Sequence, residues 1–61
     1  MNMAYDMDGY ELEVGDYVAW YKKLYKITAI YFVNNEAVLE LMHVKSTKIV
    51  KRKGFEVERL N

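Results

Sequence analysis

No cysteine and no proline occur in this chain, and glycine appears only three times. The missing cysteines exclude a disulfide framework and a thiolate zinc site, and they fit a reducing compartment. The missing prolines leave every residue able to donate to a sheet ladder, so central strand pairing is nowhere forbidden. Gly9, Gly15 and Gly54 are scattered and form no phosphate loop. His43 is the single histidine, with no second imidazole to share a metal, and it reads as a structural or surface residue. Ser46 lacks the glycine-rich elbow of a nucleophile. The carboxylate pairs Glu11/Glu13 and Glu56/Glu58 read as exposed strand faces, because general acid work needs a cleft. The first eight residues hold no Lys, no Arg and no apolar run, so a secretory signal is not expected. No stretch approaches the roughly 20 apolar residues that span a bilayer. The expectation is a soluble cytoplasmic protein without cofactor or metal, and not an enzyme.

What is present favours a compact core. The 61 residues leave room for one domain. They are 52% hydrophobic and 15% aromatic, far from the composition of a disordered chain. Charge balances to zero overall but is unevenly placed. Residues 1–16 carry Asp6, Asp8, Glu11, Glu13 and Asp16 with no basic residue, and residues 17–61 carry all nine Lys and Arg. The plain reading is an acidic lead-in lying against a basic strand of the same domain. The other reading is two poles that face partners.

Periodicity assigns strands along most of the chain. Residues 1–9 read as a flexible or edge-strand lead-in, and residues 10–61 as the domain itself. Tyr10, Leu12 and Val14 alternate with acids, and Gly15-Asp16 signals a turn. Residues 16–21 form a first long strand with Val18 and Trp20 toward the core. Lys22-Lys23 is expected to make the turn, although it lacks the glycine or asparagine that tight hairpins favour. Residues 24–33 form the longest strand, with Ile27 and Ala29 as core residues. Asn34-Asn35 reads as a hairpin turn, because Asn tolerates positive φ. Residues 36–44 place Leu39 and Leu41 in the core. A helix competes there, since EAVLELM has high helix propensity. Ser46-Thr47 reads as a turn, residues 47–52 as a strand, and the segment after Lys53-Gly54 as a 3₁₀ turn leading to a last short strand.

Val14-Gly15-Asp16-Tyr17-Val18, the long strand over residues 24–33, and the close Phe55-Glu56-Val57-Glu58-Arg59-Leu60 together resemble the SH3-like barrels. That resemblance implies an all-β fold, a small SH3-like (KOW-like) barrel of four to five antiparallel strands. Barrels of this kind include stand-alone phage and prophage proteins. Gly15-Asp16-Tyr17-Val18 and Glu58-Arg59-Leu60-Asn61 are also similar to the type II dihydrofolate reductases. That family uses a Gln-Ile-Tyr segment in its active pore, and Lys48-Ile49-Val50 retains only its isoleucine.

Three functions follow in order of expectation. The first is a non-catalytic binding module, of a phage or mobile-element accessory type, that binds and modulates a larger host protein. Tyr17, Tyr21, Tyr25 and Tyr31 would supply its contacts, with Lys22 and Lys23 at the rim, because tyrosine is enriched at protein interfaces. The second is a nucleic-acid-binding barrel that uses Lys45, Lys48, Lys51, Arg52 and Lys53 to track phosphates. The third is a reductase-like enzyme. A homodimer is compatible with the opposed charge poles, and nothing in the sequence points to a membrane.

Overall fold

The computed structural model describes residues 2–60. They form seven strands and one 3₁₀ turn. The strands are β1 (Ala4–Tyr5), β2 (Glu11–Leu12), β3 (Tyr17–Trp20), β4 (Lys23–Val33), β5 (Glu36–His43), β6 (Ile49–Lys53) and β7 (Glu58–Arg59). The 3₁₀ turn, Gly54–Glu56, lies between β6 and β7. β1 and β2 pair as one antiparallel sheet, and the others form a second with the order β6-β5-β4-β3-β7.

The expected all-β class holds, but the SH3-like barrel does not. Both sheets are open. β6 pairs only with β5, and β7 only with β3, so the two ends of the larger sheet never join. Here the chain leaves β6 at once through the 3₁₀ turn, where the Lys53 N–H donates to the Glu56 carboxylate at 2.7 Å. The likeness to the type II reductases rested on the same barrel. Asn61, part of that likeness, lies outside the described residues.

The β4–β5 hairpin is the backbone of the sheet. Its turn is Asn34-Asn35, both with positive φ, as the sequence suggests. Residues 36–43 are strand and not helix, because β4 and β6 pair with them on both sides and override local propensity. The β3–β4 turn falls one residue earlier than expected, at Tyr21-Lys22, and Lys23 already pairs with Trp20. The β5–β6 connection turns over 44–46 and is closed by the Thr47 N–H donating to the His43 carbonyl at 2.8 Å, so the expected Ser46-Thr47 turn forms its second half.

Val18, Ile27, Leu39 and Leu41 are fully buried, as their alternation implies. Leu12, Tyr25, Val57 and Ala4 complete the core, and Trp20, Ile30, Ala37 and Val50 pack against it. Ala29 is not in that cluster. A register shift between Ile27 and Ala29 passes the inward role to Ile30, which sits opposite Leu39. Gly54 is also buried. A Cβ there would stand 2.6 Å from the Tyr5 carbonyl oxygen, so the close approach of the lead-in to the 3₁₀ turn requires glycine.

Asp6 fastens the lead-in. Its Oδ1 accepts from the Asp8 and Tyr10 backbone N–H groups at 2.9 and 2.8 Å, and its Oδ2 from the Arg59 N–H at 2.8 Å. Burial by itself would raise this carboxyl's pKa. The Arg59, Tyr10 and Asp8 backbone donors and the Arg59 charge outweigh it and hold the group below its ordinary value.

Candidate functional site

Pairing in the larger sheet determines which side chains share its outer face. Val18, Tyr25, Ile27 and Leu41 point to the core, so their sequence neighbours Tyr17, Ala19, Leu24, Lys26 and Met42 point out. Tyr17 sits opposite Lys26, Lys26 opposite Met42, and Met42 opposite Ile49, which makes one row across four strands. Ala19 opposes Leu24, and the Val44 N–H donates to the Leu24 carbonyl at 3.1 Å, which makes the next row. Leu24, Val44 and Ile49 are exposed, and Ile49 keeps half of its surface in solvent (51%). The result is a contiguous apolar patch at one end of an open sheet. Its basic neighbours are Lys26, whose ammonium lies 5.9 Å from the centre of the Tyr17 ring, and Lys45 and Lys48 in the connection to β6.

The tyrosines expected to form one contact surface are dispersed. Tyr25 is only 4% exposed and stands between Trp20 and His43, with ring centres 6.1 and 5.2 Å away, so it offers a partner no surface. Tyr21 is 80% exposed at the β3–β4 turn, beside exposed Lys22 and Lys23, and its ring meets Trp20 edge-on at 4.7 Å. Tyr31 lies farther along β4, with the Lys51 ammonium 5.7 Å from its ring centre. Only Tyr17 belongs to the apolar patch.

The basic run of residues 45–53 is also divided. Arg52 turns to the inner side of β6 and stacks on Trp20 at 4.0 Å. Lys53 forms an ion pair with Glu36 at 3.1 Å and also lies 5.7 Å from the Phe55 ring centre. Lys45, Lys48 and Lys51 remain exposed. β6 is an edge strand, and lysines on an edge discourage pairing with foreign strands. The acidic lead-in does not lie against this strand. It is tied instead to β7, through Asp6 and through an Asp16–Arg59 contact at 3.8 Å.

His43 holds a turn. The Ser46 backbone N–H donates to its Nδ1 at 3.0 Å, and the Ser46 hydroxyl lies 2.9 Å from the same atom. A backbone N–H can only donate, so the ring proton of the neutral imidazole sits on Nε2. Among the described residues, no group of three His, Cys, Asp or Glu could hold a metal ion. None of these residues forms a helix long and apolar enough to cross a membrane.

Leu24, Met42, Val44 and Ile49 were not singled out as site residues from sequence. Their signal was present as apolar residues at positions alternating with the core, but strand-to-strand register is needed to show that they adjoin. The chain matches no protein-family model, no curated protein and no solved structure.

Proposed function

We propose that this protein is a non-catalytic binding module that docks a larger, acidic protein on the outer face of its five-stranded sheet. The contiguous patch of Tyr17, Ala19, Leu24, Met42, Val44 and Ile49 carries the reading. Exposed apolar side chains gathered on one face gain from burial against a partner. Lys26, Lys45 and Lys48 beside them complement an acidic surface and would orient it. The reading keeps the protein partner expected from sequence and moves its contacts from the scattered tyrosines to the sheet face. The phage attribution loses its support with the barrel likeness.

Nucleic-acid binding by residues 45–53 is the second reading. Exposed Lys45, Lys48 and Lys51 favour it, while Arg52 and Lys53 are engaged elsewhere in the fold. Amide-shift titrations of labelled protein separate the two. The probes are an acidic amphipathic peptide, a random DNA duplex and a single-stranded oligonucleotide, at low and physiological salt. Peptide shifts centred on residues 24, 42, 44 and 49 are expected. Ile49→Ser should abolish them and change stability by no more than about 0.5 kcal/mol, as for an ordinary surface substitution. Strongly salt-dependent DNA shifts at residues 45–53, with none from the peptide, would overturn the proposal.

A further inference from the structure

Two hairpin turns meet at one end of the larger sheet. The β3–β4 turn brings Lys22 and Lys23, and the start of the β5–β6 connection brings Lys45. With Leu24, His43 and Val44 they line a cleft of about 300 Å³. The sequence keeps these lysines in two separate groups, and only the fold unites them. Among the described residues the ion pairs are Lys53–Glu36 and Arg59–Asp16, so no carboxylate neutralises any of the three lysines. No acidic side chain lines the cleft. His43 adds a donor, since its Nδ1 already accepts from Ser46 and its proton therefore sits on Nε2.

The backbone supplies a second, independent observation. Among the described residues two turns have consecutive non-glycine residues at positive φ, and Thr47 is a further single one. One turn is Asn34-Asn35, a residue type that tolerates this conformation. The other is Tyr21-Lys22, at φ 48 and 62, and neither residue favours it. Strained non-glycine backbone of this sort is concentrated at functional sites. Lys22, one of the two residues of that turn, lines the cleft.

We infer that this cleft is a binding site for a small multivalent anion of the phosphate class. Three ammonium groups supply the charge, and Leu24, His43 and Val44 line the cleft beside them. The cleft adjoins the outer face and shares Leu24, Val44 and Lys45 with it, while Lys22 and Lys23 belong to the cleft alone.

The test is titration of labelled protein with inorganic pyrophosphate at constant ionic strength, with sodium chloride as the control. Saturable shifts confined to residues 21–24 and 43–46 are expected. Lys23→Gln and Lys45→Gln should each weaken binding about fivefold, the effect of losing one charge contact near 4 Å in water. Lys51→Gln, outside the cleft, should leave binding unchanged. The double variant Tyr21→Asn/Lys22→Gly should bind more weakly while melting at a higher temperature, which separates lost binding from lost folding. Ile49→Ser should leave pyrophosphate affinity intact, so this site and the outer face stand or fall separately. Shifts that never saturate, or that chloride reproduces, would overturn the inference. So would an equal loss in Lys51→Gln, which would mean a diffuse field and no site.

Discussion

Asp6 takes three backbone donors on one carboxylate, two from its own turn and one from β7, on the far side of the sequence. A hydrogen bond to a charged acceptor contributes about 1.5–3 kcal/mol. Asp6→Asn keeps the shape but replaces one acceptor oxygen with an amide that cannot accept. We expect it to lower stability by about 1.5–3 kcal/mol in urea denaturation. The pH dependence has a definite sign. The folded pKa of Asp6 lies below the ordinary value of 3.8. Its stabilisation is therefore complete above that ordinary value and is lost as pH falls through the lower folded one. The gap between wild type and Asp6→Asn should be constant near neutrality and narrow below about pH 4. A gap that is flat down to pH 2 would remove this role. At the same scale, the sequence marked Asp6 only as one of five acids. Two of its donors, Asp8 and Tyr10, are local, but the third comes from Arg59, a contact that no local pattern encodes.

The hairpins show how local chemistry and function diverge within an element. Asn34-Asn35 was legible as a turn because its residue type suits positive φ. Tyr21-Lys22 was misplaced by one residue because nothing about Tyr and Lys announces such a turn. Left-handed backbone costs a non-glycine residue roughly 1–2 kcal/mol. Tyr21→Asn/Lys22→Gly should therefore raise stability by about 1–2 kcal/mol, read as a higher urea midpoint at unchanged slope. Unchanged or reduced stability would show that the turn carries no strain. β4 shows a different limit. Its alternation predicts Ile27 and Ala29 inward, and a register shift between them exchanges Ala29 for Ile30. Both faces of this stretch carry apolar residues, so hydrophobicity alone could not decide which would face the core.

Across the whole molecule, curvature brings together strands that are not neighbours. Arg52 of β6 stacks on Trp20 of β3, although β4 and β5 lie between them in the sheet. The contact draws the two sides of the open sheet over the core without any strand pairing between them. Cation–π contacts contribute about 0.5–2 kcal/mol, more as they are desolvated. Arg52→Ala should cost about 1–2 kcal/mol, and Arg52→Lys should recover only part, because the planar guanidinium is what stacks. Thermal melts of the two variants, with Trp fluorescence as the probe, test this. Equal stability of Arg52→Ala and wild type would mean the sheet holds its curvature without this contact.

The sequence by itself determined the strand-rich character of the chain, the Asn34-Asn35 turn and the inward alternation that holds for Val18, Ile27, Leu39 and Leu41 but fails at Ala29. These depend on alternation and turn chemistry, which are local and repeat along the chain. Only the tertiary structure decided that the sheets stay open, that Tyr25 belongs to the core, and that Lys22, Lys23 and Lys45 share one cleft. Each of these depends on register, curvature or pairing between distant segments. Such contacts are selected by the summed packing of the whole domain, and no single stretch of the chain specifies them.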